Sequence, residues 1–129
     1  MVHYSRMSVV VIDAPDETHD AEVAFWQGAL GRPFEQIERF PEYHQSAELG
    51  YTGDLGLLVQ RLGEGEAKVH LDIHTDDVAA ETARLEALGA VRVRAVNGWQ
   101  VMRDPAGLHF CVIPDPPGRL NDGNAQRWD

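Results

Sequence analysis

Three side chains that can do acid–base chemistry stand at alternate positions in one short segment. Residues 69–74 alternate strictly between apolar and polar types, the pattern of a β-strand with two unlike faces. Side chains two positions apart point to the same face of a strand, so His70, Asp72 and His74 are expected side by side. A carboxylate next to an imidazole orients the ring and favours its protonated form. His70 with Asp72 is therefore the candidate catalytic pair, although a solvated strand face would show the same alternation.

A second set of reactive or aromatic side chains lies nearer the end of the sequence. By the same alternation, His109 and Cys111 share one face of the last predicted strand. Cys111 is the sole cysteine, and such a thiol is more often a small buried apolar group than a nucleophile. Trp99 follows the hairpin signal Asn97-Gly98, and we expect it to contact a flat organic ligand because ligand cavities are mostly apolar. Further candidates for an aromatic lining are Trp26, Tyr43 and Tyr51.

The elements that must position these side chains follow the same order in both halves of the chain. The first half predicts strands at 8–12, 34–40, about 43–49 and 57–61, with a turn at 13–16. A helix is predicted from a cap at Asp16 or Thr18 to Leu30-Gly31. The second half predicts strands at 69–74, 91–94, 99–102 and 110–113, a turn at 104–107, and a helix after Asp76-Asp77. The apolar stripe of the first helix is predicted to contain Val23, Trp26 and Leu30. The stripe of the second helix is predicted to contain Val78, Thr82, Leu85 and Leu88.

This shared order predicts an internal duplication. Aligning Asp16 with Asp77 places Val9 opposite His70 at the same offset of 61 residues. Each half is predicted to contain one strand, then a helix, then three further strands. The sequence therefore predicts an α+β domain over 1–114 with modules at about 5–62 and 67–114, followed by a tail at 115–129. That tail lacks periodicity, and we expect it to be disordered or to lie across a partner subunit, with Trp128 as an anchor.

The chain resembles the vicinal oxygen chelate superfamily, which includes glyoxalase I, bleomycin-resistance proteins and extradiol dioxygenases, and most of all its small bacterial glyoxalase-like branch. The resemblance rests on the order and spacing of several stretches between residues 8 and 114. It implies two βαβββ modules whose cup-shaped mixed sheets enclose a ligand cavity, and a homodimer. The matching stretches are 9–16, 25–26, 30–31, 70–77, 87–90, 104–107 and 110–112.

The resemblance also implies four metal-ligand positions, which hold Val9, Gln60, His70 and Cys111 in this sequence. A valine cannot ligate a metal, and a catalytic divalent ion normally needs about three firm protein ligands. We therefore expect no metal cofactor; if an ion binds, its ligands would be Gln60, His70 and Cys111, a weak set.

Composition excludes several classes of function. The 129 residues carry a formal net charge of −10, which disfavours nucleic acid and anionic membranes as partners. The single cysteine fits a reducing compartment, and the start of the sequence has no signal-peptide pattern, so a cytoplasmic protein is expected.

Two functions from different classes remain open. The first is a metal-free protein that binds a small organic ligand through Gln60, His70, His74, Trp99, His109 and Cys111. The second is a lyase or isomerase, either with His70 and Asp72 as its acid–base pair or with the atypical metal site.

Overall fold

The computed structural model describes residues 2–35, 45–48 and 55–129, and only the backbone for 45–48. These residues contain two helices and eight strands. They divide into two compact units, which we call the N-terminal unit (Val9–His70) and the C-terminal unit (Met1–Ser8 with Leu71–Asp129). No helix within the described ranges is long and apolar enough to cross a membrane.

The N-terminal unit holds a mixed sheet. Strand β1 (His3–Pro15) runs parallel to β3 (Gly56–Gly63) from Val9 onward, and β2 (Gln45–Glu48) is antiparallel to β3. Helix α1 (Asp16–Leu30) follows β1 directly. A parallel pair requires a crossover connection, and α1 lies in that connection.

One face of this sheet is apolar and packs on α1. The buried cluster contains Ile12, Ala14, Phe34, Leu57 and Val59, with Val23 and Trp26 of α1 packed against it. Full burial of such side chains contributes about 1.5–3 kcal/mol each. Because side chains alternate along a strand, Asp13 of β1 and Gln60 of β3 point to the opposite face, away from α1.

The predictions for this unit need three corrections. The turn predicted at 13–16 is wrong, because β1 continues to Pro15 before the helix begins. No side chain caps α1: Pro15 is the N-cap residue, and the Thr18 hydroxyl donates to the Pro15 carbonyl instead. Leu30 is exposed rather than part of the buried stripe, whereas the left-handed Gly31 that ends the helix is confirmed.

The remaining predictions for this half concern strands and aromatic residues, some of which lie outside the described residues. The strand at 57–61 is confirmed, and the one at about 43–49 is confirmed for Gln45–Glu48. Most of the strand predicted at 34–40, and the aromatic candidates Tyr43 and Tyr51, lie outside the described residues.

The C-terminal unit contains a mixed sheet and the second helix. Leu71–Thr75 of β4 (Lys68–Thr75) is parallel to β7 (His109–Pro114). The rest of the order is antiparallel, from β7 to β6 (Trp99–Arg103) to β5 (Val91–Val96). Helix α2 (Val78–Ala87) begins at Asp77, whose side chain accepts a hydrogen bond from the Ala80 amide. Strand, helix and three strands are therefore present in the predicted order.

The helix packs on one face of this sheet. The buried cluster contains Leu85, Met102, Phe110 and Val112, with Leu71, Ile73, Val78 and Ala90 packed against it. Leu88, which was predicted to lie on the same stripe, is instead 68% exposed because α2 ends at Ala87. The fold is α+β with two related modules, and neither sheet closes on itself within the described ranges.

The end of the chain is ordered within the C-terminal unit, so the expectation of a disordered tail is wrong, whereas the alternative of a tail lying across a partner subunit stays a prediction. Strand β8 (Gln126–Trp128) is antiparallel to His3–Ser5. The Trp128 indole N–H donates to the Ser5 hydroxyl at 2.9 Å, and the Arg84 guanidinium lies 3.7 Å from the Trp128 ring centroid.

A fully buried carboxylate, Glu81, holds this arrangement together. Arg84 donates to both of its oxygens, each at 2.8 Å, and His3 Nε2 lies 2.8 Å from Oε1. Burial raises the pKa of the Glu81 carboxyl, but hydrogen bonds from Arg84, His3 and Ser5 outweigh it and hold the pKa below its usual value. Because an uncompensated buried charge is costly, Glu81 ties α2 to the start of β1.

Candidate functional site

The N-terminal unit contains a buried histidine–aspartate pair. His70 Nδ1 lies 2.7 Å from Asp13 Oδ2, and the His70 and Asp13 side chains are 16% and 5% exposed. An ionised carboxylate only accepts, so the ring N–H donates, and bonds of this charge-assisted kind are stronger than neutral ones. The bond fixes the orientation of the ring and the tautomer of its neutral form, so any proton transfer by His70 would use Nε2.

Asp13 is a residue that the sequence analysis missed. It was assigned to a turn, but as a strand residue it shares a face of β1 with Val9 and Val11. The sequence carries little signal for this position, because residues 9–12 are a continuous apolar run and Asp13-Ala14-Pro15 has the composition of a turn. Gln60, a predicted ligand-binding residue, is the register partner of Asp13 on β3, and its side chain is half-buried.

In the C-terminal unit, Asp72 and Cys111 are brought together. They are register partners on β4 and β7, and a carboxylate oxygen lies within 4.8 Å of Sγ. Both point away from α2, because Leu71 and Phe110 beside them belong to the helix-side core. The predicted roles of Asp72 in catalysis and of Cys111 in ligand binding remain predictions.

His74 has its own carboxylate partner. Its Nδ1 lies 2.9 Å from Asp115 Oδ1, with side-chain exposures of 23% and 10%. Asp115 is held in turn by its backbone amide, which donates to the Thr75 carbonyl at 2.7 Å. Sequence reasoning missed Asp115 because it lies in the tail, beyond the predicted last strand.

The other two predicted ligand-binding residues lie on the same face of the C-terminal sheet as Asp72 and Cys111. His109 precedes Cys111 by two positions on β7 and is exposed. Trp99 begins β6 and is half-buried. The register pairs His109 with Arg103 and Cys111 with Val101, so Trp99, two positions before Val101, shares their face.

The family's metal-ligand set does not fit the N-terminal unit. Three of the four metal-ligand positions, Val9, Gln60 and His70, lie in this unit. Val9 offers no donor atom, which leaves only Gln60 and His70. A carboxylate on Nδ1 of a histidine is a common partner of a metal ligand, but the same contact also prepares a general base. With the first ligand position filled by an aliphatic side chain, we derive no step through a metal ion.

Comparison with known proteins agrees with the geometry. A family model described as a glyoxalase-like domain matches residues 9–113. The chain belongs to the glyoxalase-like domain family. This family lies within the vicinal oxygen chelate superfamily, as the sequence resemblance implied. The sequence matches no curated protein.

Solved structures extend the likeness to the fold. A hypothetical protein from Bacillus halodurans C-125 has a TM-score of 0.57 at 13% identity, covering 91% of this chain and 99% of its own. A methylmalonyl-CoA epimerase of Streptomyces coelicolor in complex with 2-nitronate-propionyl-CoA has a TM-score of 0.56 at 18% identity, covering 92% and 99%. A methylmalonyl-CoA epimerase in complex with methylmalonyl-CoA and NH4+ has a TM-score of 0.55 at 18% identity, covering 88% and 96%. At these identities the likeness concerns the fold alone.

Proposed function

We propose that this glyoxalase-like protein is a small-molecule enzyme of the isomerase or lyase type, in which His70 moves a proton to or from a carbon atom of its substrate. The observation that carries the proposal is the 2.7 Å hydrogen bond between His70 Nδ1 and the buried Asp13 carboxylate. Positioned imidazoles of this kind serve as general acids or bases near neutral pH.

In this proposal the two residues have different roles. His70 Nε2 takes the proton from a carbon next to a carbonyl group and returns one to the same or a neighbouring atom. Asp13 is a positioning residue, because it holds the ring through Nδ1 and stabilises the imidazolium that forms in between. Fold neighbours that are named as epimerases are compatible with this class of reaction, and the step needs no metal.

The test is incorporation of solvent deuterium into carbon acids. The protein is incubated in D2O with methylmalonyl-CoA and with a set of 2-oxo and 2-hydroxy acids, and the recovered compounds are examined by mass spectrometry. We expect deuterium in at least one compound, at a rate that falls by about 100-fold or more in His70→Gln.

Two results would overturn the proposal. Exchange that continues at the wild-type rate in His70→Gln would remove His70 from the reaction. Saturable binding of these compounds without exchange in any of them would favour a ligand-binding protein, for which Val9 at a ligand position already argues. The control is Glu64→Gln, an exposed side chain of the same unit as His70, which should leave the exchange rate unchanged.

A further inference from the structure

Two arginines of the C-terminal unit share the sheet face that points away from α2, which we call the helix-free face. Trp99, Val101 and Arg103 alternate with the helix-side residue Met102 along β6. On β5, Arg94 is the register partner of Val101, so it points to the helix-free face as well. On the other side of β6, His109 is the register partner of Arg103.

A break in the strand register separates Arg94 from the arginine two positions before it. The register of β5 shifts between Arg92 and Arg94, which places the extra residue Val93 between them. Arg92, paired with Met102, therefore points to the helix side, where its guanidinium binds Glu86 at 2.9 Å. Without that extra residue, Arg92 and Arg94 would share one face.

The two arginines on the helix-free face differ from others in the chain. Arg61, Arg84, Arg92 and Arg127 each form an ion pair with a carboxylate, whereas Arg94 and Arg103 form none with the residues that the structure describes. They occupy diagonal positions across β5 and β6, where Cα atoms lie about 7–8 Å apart and like charges repel. Arg6 and Arg119 also form no ion pair with the described residues, but Arg94 and Arg103 are neighbours on one face, and an anion between them would relieve their repulsion.

The surroundings indicate the shape of that anion. Trp99, half-buried, is the register partner of Val96 and is therefore diagonal to Arg94. The order along the face is an aromatic ring, then one guanidinium, then the other, over about 13 Å of strand. Strand β7 lies between β6 and β4, which carries Asp72 on this face. The Asp72 position is therefore about 10 Å from β6.

We propose that the helix-free face of the C-terminal unit binds an aromatic carboxylate, with the carboxylate between Arg94 and Arg103 and the ring against Trp99. Guanidinium groups bind carboxylates through paired hydrogen bonds, and an indole offers a flat apolar surface. This binding does not depend on proton transfer at His70, so it can succeed or fail separately from the proposed reaction.

The test uses 1-naphthoate as the probe and its neutral analogue 1-naphthamide as the comparison. Binding is followed at low salt by the NMR shift of the Trp99 indole N–H, assigned with Trp99→Phe. We expect naphthoate to bind about tenfold more tightly than naphthamide, and Arg94→Gln and Arg103→Gln each to weaken naphthoate binding by about fivefold. Naphthamide binding should change little in these variants.

Two further variants serve as controls. Arg92→Gln removes a charge from the same strand but the opposite face, and Arg119→Gln removes an exposed charge from the loop before β8; both should bind naphthoate like the wild type. The proposal is overturned if naphthoate does not shift the Trp99 signal in a saturable way or binds no more tightly than naphthamide. It is equally overturned if Arg92→Gln weakens binding as much as Arg94→Gln does.

Discussion

Replacing Asp13 is the perturbation that most clearly separates a positioned histidine from an incidental contact. The His70 and Asp13 side chains are both less than one-fifth exposed, so solvent screens their interaction only weakly. A hydrogen bond to a charged group contributes about 1.5–3 kcal/mol to stability, and its neutral counterpart about half of that. Asp13→Asn, which keeps an acceptor oxygen, should therefore destabilise the protein by about 1 kcal/mol, and Asp13→Ala by about 1.5–3 kcal/mol.

Urea unfolding followed by tryptophan fluorescence measures these differences, with the unfolding free energy extrapolated to water. Glu64→Ala is the control, because Glu64 is an exposed acid of the same unit and its removal should change stability by no more than about 0.5 kcal/mol. In the deuterium experiment, Asp13→Asn should slow exchange while His70 itself is unchanged. If Asp13→Ala is as stable as Glu64→Ala and exchanges at the wild-type rate, the pair neither stabilises the unit nor prepares His70.

Three further predictions concern other parts of the molecule. Because folding lowers the pKa of the Glu81 carboxyl from its ordinary value of 4.5, the stabilisation that this carboxylate provides is present above that pH and is lost as the pH falls through the lowered pKa. Glu81→Gln should therefore flatten the acid limb of the stability curve in urea unfolding between pH 3 and 6, and an unchanged acid limb would contradict the account. Trp128→Phe removes the donor to Ser5 and should speed amide hydrogen exchange in β8 about fivefold, with no change in α2. If β8 exchanges at the same rate in the variant and the wild type, this hydrogen bond does not hold the strand. Elemental analysis after dialysis should find no stoichiometric zinc, nickel or manganese, and one retained ion per chain would refute the argument from Val9.

Much of the architecture could be predicted because it is encoded locally. Alternation over 69–74, the helix start after Asp76-Asp77 and the glycine after Leu30 each depend on neighbours in the sequence, and each is confirmed. The errors have local causes too. Pro15 was taken as part of a turn at 13–16, whereas it is the last residue of β1 and the N-cap residue of α1.

The site was less predictable because its contacts join residues that are distant in sequence. Alternation placed His70 on the correct strand, but the partner of its ring comes from Asp13, 57 positions earlier. Asp115 lies 41 positions beyond His74. Local patterns carry no information about which distant carboxylate faces which ring, and only the strand register determines it.

Chemical rescue of His70→Ala by imidazole is the sharpest test of whether His70 is the proton-transferring group. The cavity left by the side chain lies beside the Asp13 carboxylate, so added imidazole can take up the position of the missing ring. In the deuterium-exchange assay, we expect His70→Ala to be inactive and imidazole to restore exchange in a saturable way, with less rescue when Asp13 is also replaced by Ala. Full activity of His70→Ala without imidazole would contradict the account.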